Sequence, residues 1–337
     1  MEGIIQLLIF EIVVNRTPDW EIHPTPAITL FEQIVQHCEM PASGHCAFDA
    51  LLTQVSLRSS DEAGSARLPS NVDQPAFWFF SAFLLVADII SSTSLETPPA
   101  LHRYHEHLLV GQNSLGQSPF LRLETYMGCH NWVFLVVADI AALDVWKKNM
   151  TRMGKLSRAD LTARSDRIAA DLHTGIAHLN TSEESSPTRF KHGLHDLLTA
   201  HPCNPCAPDQ PPVLTRIWGY AAQTYLDVTV SGWQPSSPHI HQTVTATIDL
   251  LRDLASPFSL RAVIWPFCVT GCLAAPEQEQ ELREMVFAMG TLQTFGPERE
   301  ALSIMESVWK KRKCLQVEQT FDIAACLRIL GRPAILV

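Results

Sequence analysis

Three groups of residues have types and spacings that could do chemistry. The first is His192, His195, His201, Cys203 and Cys206. Cys203 and Cys206 stand two residues apart, the gap of a zinc knuckle, and zinc takes thiolate and imidazole ligands. A four-ligand site needs a second such pair, and no further Cys-x-x-Cys follows. Pro202, Pro205 and Pro208 make the stretch read as an extended loop. Cys203, Cys206 and His201 therefore stand as incomplete metal candidates, and the expected metal complement is none. The second group is His102, His105 and His107 in LHRYHEHLL. On a helix His102 and His105 share a face and His107 does not. Without a carboxylate or thiol at ligand spacing, they read as an exposed or half-buried polar face. The third group is Lys310, Lys311, Arg312 and Lys313, four consecutive basic residues. Such a run can serve as a nuclear-import signal. It also suits a helix end, where cations offset the last carbonyls.

Other catalytic patterns are missing. The sequence has no glycine-rich phosphate loop, no nucleophile elbow and no His-Glu-x-x-His pair. Asp139 and Asp144 are five apart and do not form an aspartate-rich magnesium motif; neighbouring Lys, Arg or hydroxyl groups should satisfy them. Cys268 and Cys272 lie one helical turn apart in an apolar run and read as small core hydrophobes. Neither catalytic nor cofactor-binding residues are expected.

The elements that must position these groups are helical. The chain has 337 residues, 46% hydrophobic and 18% charged, enough apolar material for a large core and too little charge for a disordered chain. A net charge of −10 argues against direct contact with nucleic acid, whose phosphates an acidic surface repels. The nine cysteines are scattered and odd in number, as in a reducing compartment. Residues 1–14 are apolar but interrupted by Glu2 and Glu11, and shorter than the roughly 20 residues of a membrane span. They read as a buried N-terminal helix or strand, and no membrane contact is expected.

Helix ends are legible from composition. Asn131 can cap a helix that runs through WVFLVVADIAALDVWKKNM, with Lys147 and Lys148 toward its C-terminal dipole and Gly154 closing it. Ser157 with Asp160 starts the next, whose apolar positions include Leu161, Ile168 and Leu172. Stripes follow at Leu214, Ile217, Trp218, Ala221 and Tyr225, and at Ile240, Val244, Ile248 and Leu251. Ser237-Pro238 and Gly296-Pro297 mark helix starts, and Pro266 should kink or start one. These signals predict an all-α fold, an antiparallel array of about ten helices. Residues 1–337 read as a single domain, with a hinge loop at 180–212 that holds six of the 22 prolines.

Several long stretches carry a family resemblance. GCHNWVFLVVADIAALDVWKKNMTRMGKLSRADL, AAQTYLDVTVSG, IWPFCVTGCLAAPEQEQELREMV and EREALSIMESVWKKRK resemble, in order and spacing, the regulatory region of fungal zinc-cluster transcription factors related to the acriflavine-sensitivity control protein. The resemblance covers about Phe77 to Val337. It implies the all-helical fungal-specific transcription factor domain, with Trp132, Trp146, Trp265, Pro266 and Trp309 as core packing. It further implies action in the nucleus through protein partners: transcription machinery, coregulators and a homodimer. Family members begin with a six-cysteine binuclear zinc cluster. Here the first cysteines are Cys38, Cys46 and Cys129, which do not match that spacing. The expectation is a regulator without its DNA reader, a fragment, or a sequence that starts late; zinc would enter only with a preceding cluster. An all-helical enzyme and a cytoplasmic scaffold of the same fold are the alternatives.

Overall fold

Apolar residues recur every three to four positions along most of the chain, and the computed structural model realises that period as helices. It describes residues 1–14, 20–37, 73–110, 119–182, 211–290, 296–315 and 321–337. Among the described residues there are thirteen α-helices and no strand. They are α1 (Glu2–Val14), α2 (Pro24–His37), α3 (Asp73–Leu95), α4 (His102–Leu109), α5 (Leu123–Met127), α6 (Asn131–Arg152) and α7 (Arg158–Ser182). After residues 183–210 follow α8 (Pro211–Ser231), α9 (Pro238–Arg252), α10 (Ile264–Leu273), α11 (Glu279–Phe287), α12 (Pro297–Leu315) and α13 (Ile323–Leu327). Three 3-10 turns, at Trp20–Ile22, Pro257–Val263 and Pro276–Gln278, redirect the chain between them. The all-α expectation holds.

The centre is α8, which packs on α6, α7, α9 and α10. Every residue of α10 is buried, so its apolar run has no solvent face. Pro266 sits in its first turn, where a missing N–H leaves no helical bond unmade. One cluster of buried side chains runs from Ile5 to Leu336 and includes helices on both sides of residues 183–210. Residues Ala76–Leu95 of α3 are long and apolar enough to cross a bilayer, yet most of that stretch is buried inside the array against α6 and its neighbours.

Local chemistry sets the helix ends. At the end of α6, Gly154 adopts a φ of 65°. Its N–H donates to the Thr151 carbonyl and that of Lys155 to the Met150 carbonyl, both at 2.9 Å, which closes the helix in a Schellman motif. The Ser157 hydroxyl accepts the Asp160 N–H at 3.2 Å and opens α7. Where α6 and α7 cross, a Cβ on Gly175 would lie 2.5 Å from the Trp132 ring, so glycine is what admits the indole.

Three sequence expectations are corrected here. Asn131 does not cap α6; it is its first residue, and it is buried. Its Oδ1 accepts the Leu123 N–H, and its Nδ2 donates to the carbonyls of Leu109 and Leu121. It thereby satisfies backbone groups at the ends of α4 and α5. Lys147 and Lys148 serve neighbouring elements rather than their own helix dipole: Lys147 donates to the Thr229 carbonyl of α8. Helix α1 buries only one face, through Ile5, Leu8 and Ile12, and exposes Leu7, Phe10 and Val13.

Candidate functional site

The histidines of α4 fall where helical spacing puts them, but with unequal burial. His105 is 4% exposed because it shares the inward face with Leu108 and Leu109. His102 is exposed, its ring 5.3 Å from that of His105 and its Nε2 4.0 Å from Asp139 Oδ1. His107 is exposed on another face. Among the described residues no three His, Cys, Asp or Glu side chains gather into a metal site. His192, His195, His201, Cys203 and Cys206 lie outside the described residues.

Burial, and then the neighbouring His102, pushes His105 down to a pKa of about 4. The unfolded chain binds that proton near pH 6.5. Between these values the unfolded state holds more protons than the folded one, so stability falls as pH drops. The loss begins near pH 6.5, ends near pH 4, and reaches about 3 kcal/mol. Denaturation midpoints measured across this window should fall less steeply in His105→Phe. An unchanged slope would mean that other groups carry the acid sensitivity.

The basic run divides in two. Lys310 and Lys311 are exposed near the end of α12. Arg312 is half-buried, donating to the Ala274 carbonyl at 2.8 Å and pairing with Glu279 at 3.0 Å. It ties α12 to the start of α11. The side chain of Lys313 lies outside the described residues.

Two sites emerge that no short motif announced. The first is an ion cluster around Lys148 of α6. Its ammonium lies 2.6 Å from Glu96, 2.7 Å from Asp144 and 2.6 Å from Asp322. Glu96 follows α3 with a φ of 57°, a conformation that side-chain-bearing residues rarely adopt, and Arg328 also pairs with it. Asp322 also caps α13, accepting the Ala325 N–H at 2.8 Å. Desolvation favours the neutral acid at Glu96, but Lys148 and Arg328 outweigh it and hold the carboxyl below its ordinary range. At Asp144 desolvation prevails and the pKa is raised despite Lys148. Asp144 therefore finds the lysine partner expected of it.

The second is an apolar cavity of about 130 Å³ among α1, α3, α6, α8 and the start of α12. Ile12, Phe79, Phe83, Phe134 and Trp218 line it. Its polar end is Arg261 and Glu298, joined by a 2.7 Å bond from Nε to Oε1. Glu298 is fully buried, and its Oε2 has no partner. Nearby in α10, Cys268 and Cys272 are free and buried, with Cys326 of α13 against Cys272. The tryptophans hold the core together: Trp265 stacks on Trp218, and Trp309 donates to the Gly271 carbonyl at 2.8 Å. These groups pack the core and line a cavity, and no nucleophile–base pair stands among them.

A family profile described as Fungal specific transcription factor domain matches residues 1–326. Transcription factor dibT of Pestalotiopsis microspora is 36% identical over 349 aligned positions, which cover all of this chain and 53% of dibT. The trichothecene biosynthesis transcription regulator TRI10 of Trichoderma arundinaceum is 24% identical over 314 positions, 92% of this chain and 66% of that protein. The pestheic acid cluster transcriptional regulator 3 of Pestalotiopsis fici is 23% identical over 319 positions, 92% of this chain and 52% of its own. The chain thus spans about half to two thirds of the length of these curated relatives. No solved structure matches it.

Proposed function

The chain belongs to the fungal-specific transcription factor domain family, and from that premise we propose that it is the effector domain of a pathway-specific transcription regulator. The observation that carries the reading is the family match over residues 1–326. The family and its named relatives are regulators and not enzymes. Relatives named for trichothecene biosynthesis and for a pestheic acid cluster support a role in switching one biosynthetic gene set.

In this reading residues 1–337 act as one regulatory unit in the nucleus, through contacts with coregulators, the transcription machinery and a second copy of the chain. DNA specificity comes from residues other than these, since a net charge of −10 opposes phosphate contact. Lys310 and Lys311, with Arg312 and Lys313, form the import signal.

Residues 1–337 fused to an unrelated DNA-binding domain should change the output of a matched reporter several-fold in a fungal host, against that domain alone. An unchanged reporter with normal protein abundance would contradict the proposal. In the tagged chain, Lys310→Ala with Lys311→Ala should weaken the nuclear signal and leave the fold intact, because both side chains face solvent. Arg312 is left in place, since its loss would remove the nearer cation from Glu279 and the donor from the Ala274 carbonyl.

A further inference from the structure

We propose that the apolar cavity ending at Glu298 is a binding site for a neutral hydroxylated aromatic ring, either a single-ring phenol or the phenolic end of a larger molecule. Size, wall and polar end each narrow the ligand.

The cavity measures about 130 Å³. Close-packed interiors hold few voids larger than a water molecule. An engineered apolar cavity of about 150 Å³ in another protein stays dry and takes up benzene. The space here therefore matches one ring. Sites for drug-sized molecules usually run to about 300 Å³ or more, so a larger ligand would leave most of its body outside.

The wall is aromatic on several sides. Phe79, Phe83, Phe134 and Trp218 surround the space, and Ile12 of α1 covers it. Rings in this setting favour edge-to-face and offset contacts with another ring.

The polar end selects a donor. Glu298 is fully buried; one oxygen takes the Arg261 guanidinium and the other, Oε2, takes nothing. A buried acceptor left unpaired is unfavourable, so a hydroxyl that reaches it gains. Gly296 also lines the cavity, and a Cβ there would lie 2.8 Å from Oε2, so glycine leaves that oxygen uncrowded; a small side-chain shift brings the closed-over oxygen to a ligand hydroxyl. A bound water needs two to four polar partners, and the rest of this wall is largely hydrocarbon. Arg261 already neutralises Glu298, so the ligand carries no net charge. A carboxylate, which has no proton to donate, would set an acceptor against Oε2 and add a charge that no cation among the lining residues remains to balance.

The purified chain is tested directly, so the outcome is independent of the regulator reading. The probes are 4-ethylphenol, ethylbenzene and 4-ethylbenzoate, followed by ligand-observed NMR and thermal unfolding. Wild type should bind 4-ethylphenol saturably, at least tenfold more tightly than ethylbenzene, and should melt at a higher temperature as 4-ethylphenol is added. The benzoate should neither bind nor shift the melt. Arg261→Met with Glu298→Leu should keep ethylbenzene binding and lose the tenfold preference. Ala262→Phe, which places a ring in the cavity, should abolish binding of both. Failure of wild type to bind 4-ethylphenol, or equal binding of phenol and hydrocarbon, would overturn the proposal. Should Ala262→Phe not fold, the probe ratio in the double variant decides.

Discussion

Lys148→Met is expected to destabilise the chain by about 3–5 kcal/mol, because it strands buried charge. Asp144 is almost buried, and Lys148 is the cation that reaches it, at 2.7 Å. Glu96 would keep Arg328, and Asp322 would keep the Ala325 N–H. The cost therefore concentrates on Asp144, whose carboxylate burial already disfavours. Replacing both partners, as in Asp144→Leu with Lys148→Met, should restore most of the loss, since no buried charge remains. The contribution has a pH signature. Burial pulls the Lys148 ammonium down, but Asp144 and Asp322 outweigh it and hold its pKa above that of a free lysine. A base raised on folding stabilises fully below its unfolded value, near pH 10.4, and the gain fades as pH rises through the folded value. The gap between wild-type and variant urea midpoints should be fully open at pH 8 and only begin to narrow at pH 11, which lies below the folded value. A loss below about 1 kcal/mol at pH 8 would class the cluster with solvent-screened surface pairs.

Much of the fold was legible because local chemistry and burial agree along the helices. Leu214, Ile217, Trp218, Ala221 and Tyr225 form a stripe in the sequence and are all buried in α8. Ser157 and Gly154 announce a helix start and a helix end, and the hydrogen bonds found there are the ones those residue types make. Asn131 shows the limit. Its type and position fit an N-cap, but a buried amide serves whichever backbone groups lack partners, and those lie on α4 and α5. The α1 segment is apolar on most of its faces despite Glu2 and Glu11, and only docking against α2 and α3 decides which face is covered.

The sites were less legible because they join distant segments. Glu96, Lys148 and Asp322 each look like an ordinary surface charge in the sequence, and nothing local pairs them. The cavity draws on α1, α3, α6, α8 and α12, so no spacing rule finds it. One signal was present: Glu298 stands in the first turn of a helix opened by Gly296-Pro297, where an acid is expected. That it is fully buried, and bonded through one oxygen only, follows from Arg261 and the packing. For the basic run, helix period alone could not separate Arg312, turned toward Glu279, from Lys310 and Lys311 beside it.

Trp265→Ala is expected to cost about 3–5 kcal/mol, as for other large-to-small changes in a packed core. The side chain is fully buried, stacked on Trp218 with centroids 5.4 Å apart and planes 11° apart, and met edge-on by Tyr225 at 5.9 Å. Its indole N–H donates to the Thr93 hydroxyl at 3.1 Å, which joins α10 to α3. Alanine would remove the ring, leave Trp218 without its stacking partner, and open a void next to the wall of the apolar cavity. Trp265→Phe keeps an aromatic face and loses the bond to Thr93, so its cost should stay nearer 1–2 kcal/mol, about one hydrogen bond with some lost packing. Near-UV circular dichroism should drop sharply in the alanine variant and partly in the phenylalanine one, because the stacked indoles are rigid chromophores. In cells a loss of this size lowers the folded fraction and hence abundance. The reporter output of the alanine fusion should fall in step with protein level, while the Lys310→Ala, Lys311→Ala chain should keep its level and lose only nuclear signal. Equal stability in the alanine and phenylalanine variants would show that the core closes around the missing ring, and that the Trp218–Trp265 stack is not what holds α8 to α10.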